Sequence, residues 1–146
     1  MPAEYPPHPV PAASALVYNN NGKILLIQRK LEPGAGKWSL PGGKVELGET
    51  ARAAAVRETF EESGIRVETE KLLDAVDVII TDDKMRTRYH FLILVYLARY
   101  VSGRLQESPE TMDARWVPLK EALEYDLTST AHTVIESFIV ELKIRI

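Results

Sequence analysis

Apolar and polar positions divide this chain into a short series of elements. Residues 13–18 and 23–29 are apolar-rich stretches of strand length, and Asn19-Asn20-Asn21-Gly22 between them is a hairpin signal. A Pro/Gly loop follows at 31–37. Two long apolar stretches, 72–80 and 89–100, read as strands joined by the charged loop 81–87, with a shorter strand at 114–117 and a helical turn at 121–125. From 129 to 144 the period changes: Ala131, Val134, Ile135, Phe138, Ile139 and Leu142 follow i, i+3, i+4, i+7, i+8, i+11. This predicts a long helix lying against the sheet. Residues 1–11 hold five prolines and read as an extended tail, with an edge strand or a clasp on a partner subunit as the other reading.

A second helix is delimited by its ends. Thr50 can accept a bond from first-turn amides, Gly64 can take the left-handed conformation that stops a helix, and the run between them is rich in alanine. At 100° per residue Glu58, Glu61 and Glu62 share a face, while Val56 and Phe60 point roughly the opposite way. Core packing and chemistry are therefore expected on different sides. Strands flanked by two long helices predict the α/β class: an α/β/α sandwich around a mixed sheet, formed by a single domain over 12–146.

The 146 residues are 45% apolar and 27% charged, an ordinary globular composition for one domain. A net charge of −3 argues against a nucleic-acid polymer as partner, although a small anion needs only local positive charge. Without cysteine there is no disulfide framework or thiolate metal site, and a cytoplasmic location is the simple expectation. The N-terminus lacks a secretory signal pattern, and the longest apolar run, 91–98, is too short to span a bilayer, so no membrane partner is expected.

Three carboxylates on one helical turn repel one another, and a divalent cation would reverse the sign. Carboxylate oxygens suit Mg²⁺ or Mn²⁺, with the remaining ligands left to water and substrate phosphate. Arg57, four residues before Glu61, can hold a carboxylate by a forked bond and orient a ligand that would otherwise swing freely. Taken alone, such a face is an ordinary solvated surface. Leu40-Pro41-Gly42-Gly43, Glu46, Glu49 and Gly64 change this, because the Pro-Gly-Gly turn brings bare backbone to the helix start.

Gly43, Glu49, Arg57, Glu58, Glu61, Glu62, Gly64 and Ile65 resemble the signature box of the Nudix hydrolases. The flanks agree: residues 23–29, 36–43 and 114–119 are similar to the family's strands and approach around the box. Thr59 departs from the usual aliphatic residue. The resemblance implies the Nudix-type sandwich and cleavage of a pyrophosphate bond in a nucleoside diphosphate linked to another moiety. It further implies Mg²⁺, with Mn²⁺ as substitute, on Glu58, Glu61, Glu62 and the Gly42 carbonyl. Arg57 would support the catalytic set of Glu58, Glu61 and Glu110. Either Glu58 or Glu110 would act as base, with Glu107 a rival to Glu110. Arg29, Trp38, Gly43, Arg86 and Arg88 form the expected substrate-contacting set.

ADP-ribose, yielding AMP and ribose 5-phosphate, is the first expected substrate. A nucleoside triphosphate pyrophosphohydrolase that removes oxidised nucleotides is the alternative, and a non-catalytic nucleotide-sugar sensor is the reading from another class. A homodimer is expected from the prevalence of two-fold oligomers. Gly34-Ala35-Gly36-Lys37 lacks the Ser/Thr and spaced glycine of a phosphate-binding loop and reads as a turn. His8, His90 and His132 lack metal-like spacing; His90, beside Arg88, is a minor substrate candidate against a plain strand histidine.

Overall fold

A computed structural model describes residues 4–145 and runs, in chain order, β1 (Val10–Tyr18), β2 (Lys23–Arg29), β3 (Trp38–Ser39), β4 (Gly42–Lys44), α1 (Ala51–Ser63), β5 (Arg66–Thr81), β6 (Thr87–Ser102), β7 (Thr111–Pro118), a 3-10 turn (Leu119–Glu124) and α2 (Ser129–Arg145). β1 is the hub. It lies parallel to β6 from Val10 opposite Phe91 to Tyr18 opposite Arg99, and its other edge takes β4 and then the start of β2. β5 pairs antiparallel with β6, while β2 carries β3 and β7. The sheet is mixed, as expected.

Alternation of side chains through this sheet creates two cores. Leu16, Leu26, Val95, Leu97 and Val117 face α2, where Ala131, Val134 and Ile135 cover them. Ala13, Ala15, Val17, Leu25 and Ala98 face α1, which meets them with Ala54 and Ala55. The alanines on both sides let α1 approach closely, which places Glu58 and Glu62 at the sheet rather than out in solvent.

Three expectations need correction. β1 begins at Val10, inside the expected tail, because a strand paired with β6 accepts Pro11 where no ladder amide is required. The preceding segment is not loose: the Tyr5 amide donates to the Arg88 carbonyl (2.7 Å), the Tyr5 hydroxyl to Asp82 (2.9 Å) and Arg88 to Glu4 (2.6 Å). β5 spans 16 residues rather than starting at 72, since β6 supplies a ladder that its polar inner half completes through three bulges.

The faces of α1 also differ from the reading of opposite sides. Ala54, Ala55, Thr59, Glu62 and Ser63 are buried, Val56 packs at the margin, and Phe60 is exposed beneath the Arg66 guanidinium, 4.2 Å from its ring centre. Chemistry and packing share a boundary. The three glutamates run along it from buried to open: Glu62 is 8% exposed, the Glu58 side chain 13% and the Glu61 side chain 43%.

Candidate active site

α1 forms where its caps predict. The Thr50 hydroxyl accepts the Ala53 amide at 3.1 Å, and Gly64, at φ +80°, donates back to the Phe60 carbonyl at 2.8 Å. This fixes the helical phase that aims Glu58 and Glu62 at β4. β4 is held beside them by pairing of Ser14 with Gly42 and Ala13 with Gly43. Two bare positions are necessary there. A Cβ on Gly43 would lie 2.5 Å from the Glu58 carboxyl carbon, and one on Gly42 would meet the Ala13 carbonyl at 2.5 Å. At Gly42 it is the amide that meets a glutamate, donating to Glu62 at 2.8 Å.

Glu58, Glu62 and Glu110 each offer a carboxylate oxygen, and these oxygens lie within 4.8 Å of one another. Glu110 arrives from the loop between β6 and β7, 48 residues beyond Glu62 in the chain. Glu61 is not one of the three converging groups, although its charge still acts on Glu58. Helical phase explains this, since Glu61 is the glutamate turned furthest from the sheet.

Arg57 steadies the group, and its fork closes on Glu49. Its Nε and Nη2 clasp Glu49 at 2.7 and 2.9 Å, its Nη1 reaches Glu58 at 2.8 Å and Glu61 at 3.2 Å, and Nη2 also donates to the Lys44 carbonyl at 3.1 Å. The planar fork thus ties the helix to the loop that enters it, with single bonds left for the catalytic face. Glu49 is pulled down to about 2 by this guanidinium.

Burial acts in the other direction within the cluster. Glu62 is pushed up to about 8 by desolvation, aided by the charges of Glu58 and Glu110 and opposed by the Gly42 amide and Arg29. Glu58 is also raised, by desolvation first, against the pull of Arg57. Two desolvated carboxylates that resist holding negative charge, Glu58 and Glu62, joined by the exposed Glu110, make a set of hard oxygen donors that a divalent cation satisfies. The bare Gly43 backbone leaves no side chain in the way. The residues fit Mg²⁺ or Mn²⁺.

Besides Arg57, Arg29 lies near enough to the cluster for its charge to act on Glu62. A bulge between Gln28 and Arg29 offsets the ladder to β7 and re-aims the side chain, whose Nε donates to the Pro33 carbonyl at 2.8 Å. Trp38 is instead packed in the α2-side core, edge-on to Tyr125 at 5.2 Å and capped by the Arg115 guanidinium at 4.9 Å. Arg86 and Arg88 sit at the β5–β6 hairpin tip, bound to Asp82 and Glu4. His90 is a partly buried strand residue opposite Ile79. The 34–37 segment is the expected turn, with the Lys37 amide bonded to the Gly34 carbonyl. An open groove of about 490 Å³ borders Arg57, Phe60, Glu61 and Arg66 on the outer flank of α1. It lies beside the converging oxygens rather than around them, so the donor geometry marks the site better than the hollow does.

Residues 106–111 contribute contacts that the sequence reading missed. Ser108 accepts the Glu110 amide at 3.1 Å, an ST-type turn for which Ser two positions before the acid was the available signal. Thr111 and Gln106 bond to α1 carbonyls, for which no local signal exists.

A model of the NUDIX domain matches residues 8–138. Among curated proteins, an ADP-ribose pyrophosphatase of Methanocaldococcus jannaschii is 34% identical over 77% of this chain and 63% of its own length. A putative mutator protein MutT4 of Mycobacterium tuberculosis is 41% identical over 66% of this chain and 38% of its own. The chain thus spans less than two thirds of either relative. The crystal structure of a MutT NUDIX hydrolase from Burkholderia pseudomallei superposes with a TM-score of 0.74 at 34% identity, covering 88% of this chain and 97% of that one. With Arg57, Glu58, Glu61 and Glu62 on one helix, Gly43 and Glu49 brought beside it, and a family match across nearly the whole length, the chain belongs to the NUDIX family.

Proposed function

We propose that this protein is a divalent-cation-dependent hydrolase that cleaves the pyrophosphate bridge of a nucleoside diphosphate linked to another moiety, with ADP-ribose as first substrate. The observation that carries this is the convergence of Glu58, Glu62 and Glu110 beside the bare backbone of Gly42-Gly43. When bound, Mg²⁺ or Mn²⁺ supplies charge neutralisation of the bridge and a more acidic water.

The protein's own groups do the positioning. Glu58, Glu62 and Glu110 are the principal cation ligands, with Glu61 and the Gly42 carbonyl completing the set. Arg57 holds Glu58 in one orientation, and the Gly42 amide fixes one oxygen of Glu62. Arg29 presents positive charge to the phosphates, and the Gly43 backbone lets them approach. Water adds to one phosphorus, its proton passes to Glu58 or Glu110, and the bond to the bridging oxygen breaks. With ADP-ribose the products are AMP and ribose 5-phosphate.

Support for that substrate is the archaeal relative that bears the name ADP-ribose pyrophosphatase. A second reading, oxidised nucleoside triphosphates, is favoured by a Bacillus subtilis relative named a putative 8-oxo-dGTP diphosphatase, 33% identical over 72% of this chain. The test is a panel of ADP-ribose, nucleotide sugars, diadenosine polyphosphates and ordinary and oxidised triphosphates, with Mg²⁺ and with Mn²⁺. Selective release of AMP from ADP-ribose is the expected result. Preference for triphosphates, with pyrophosphate as product, transfers the assignment to the second reading, and tight binding without turnover in any arm overturns both.

A further inference from the structure

Glu110 is the one member of the converging group that does not ride on α1, and its loop needs an anchor to bring it there. The last carbonyls of a helix have no partner inside the helix. Here two of them are taken up by the incoming chain: the Ser63 carbonyl accepts the Gln106 amide at 2.9 Å, and the Glu62 carbonyl accepts the Thr111 hydroxyl at 3.3 Å. Gly64 makes room for this docking, since a Cβ there would lie 2.6 Å from the Arg104 carbonyl oxygen and 2.9 Å from Gln106 Cγ.

The second of these bonds joins neighbours on both sides. Thr111 is the residue after Glu110, and the carbonyl it grips belongs to Glu62, whose carboxylate is in the cluster. Thr111 is buried, at 9% exposure, and lies opposite Arg29 in the ladder, so its backbone is held from the sheet side as well. On the other side of Glu110 its amide is bound by Ser108. From this geometry we infer that Thr111 is a positioning residue. Its hydroxyl registers the Glu110 loop on the C-terminal turn of α1 and so sets the distance between Glu110 and the Glu58–Glu62 pair.

The inference rests on the reading of Glu110 as a cation ligand, and the experiment separates the two. Mn²⁺ affinity is measured without substrate, by electron paramagnetic resonance titration, for wild type, T111V, T111S, E110Q and T111V/E110Q, alongside thermal melting. T111V keeps the shape and removes the donor; T111S keeps the donor. E110Q and T111V should each weaken Mn²⁺ binding, T111V by about 10-fold as for other groups that orient ligands, and T111S should restore it. In the double variant T111V should add nothing to E110Q, because it acts through that carboxylate. Loss of Mn²⁺ affinity in E110Q but not in T111V overturns the positioning role alone. No loss in E110Q overturns the reading of Glu110 and the inference with it. Full additivity in the double variant reduces Thr111 to a structural residue, an outcome that also overturns the inference. If T111V fails to fold, T111S binding Mn²⁺ as weakly as E110Q overturns it too.

Discussion

At the scale of residues, three glutamates of one motif differ through their angle to the sheet. Glu62 and Glu58 face β4 while Glu61 faces solvent, so charge removal should cost most at the first two. E62Q and E58Q should lower kcat by about 100-fold or more, and E61Q by distinctly less, with melting temperatures preserved. Steady-state kinetics with Mg²⁺ on folded variants gives that ranking, and an E61Q defect equal to E62Q would contradict it. Glu62 also makes a pH prediction for the metal-free protein. Its folded value of about 8 lies above the ordinary carboxylate value of 4.5, so the folded state retains a proton that the unfolded state has lost between those limits. Its stabilising contribution is complete below about 4.5 and is lost as pH rises through about 8, an effect of order a few kcal/mol. In EDTA the wild-type melting temperature should fall from pH 5 to pH 8 more steeply than that of E62Q. Added Mg²⁺ should reverse the trend, because the cation takes the deprotonated group.

At the scale of elements, α1 works as a rigid bracket whose two ends are both functional. Its N-terminal end is tied to the Glu49 loop by Arg57, and its C-terminal end receives the Glu110 loop. G64A should therefore do more than strain one residue at φ +80°. It should cost about 1–2 kcal/mol for the left-handed backbone, and the clash with the Arg104 carbonyl should shift the loop and weaken Mn²⁺ binding. Chemical denaturation and metal titration of G64A measure the two effects separately, and a stable variant with wild-type affinity would contradict the bracket. The sequence exposes this helix well, because Thr50, Gly64 and the alanine run are local signals that nothing distant overrides. It does not reveal which flank of the helix meets the sheet. That depends on Ala13, Ala15 and Ala98 in strands far along the chain, which is why Phe60 read as core and Glu61 as equal to its neighbours. The polar inner half of β5 was hidden for a similar reason: β6 completes its ladder, and no alternation of its own reveals it.

At the scale of the molecule, the sheet separates two tasks. Its α1 side is rich in alanine and carries the carboxylates, while its α2 side carries more of the bulky buried side chains. Ile135 is fully buried on α2, packed within the cluster that includes Leu16, Leu26, Val95 and Leu97. None of the converging glutamates, nor Arg57 or Thr111, belongs to that layer. I135A removes three carbons from a close-packed site and should cost about 2–5 kcal/mol of stability through lost burial and the cavity left behind. Effects of distant groups without shared partners add, so the site should be unchanged wherever the variant remains folded. Urea denaturation of I135A should show a lower midpoint, while Mn²⁺ affinity and kcat below the melting range stay at wild-type values. A fall in Mn²⁺ affinity at full folding would mean that the α2 layer sets the position of β1, and through it of Gly42 and Gly43, so that the two sides of the sheet are mechanically coupled.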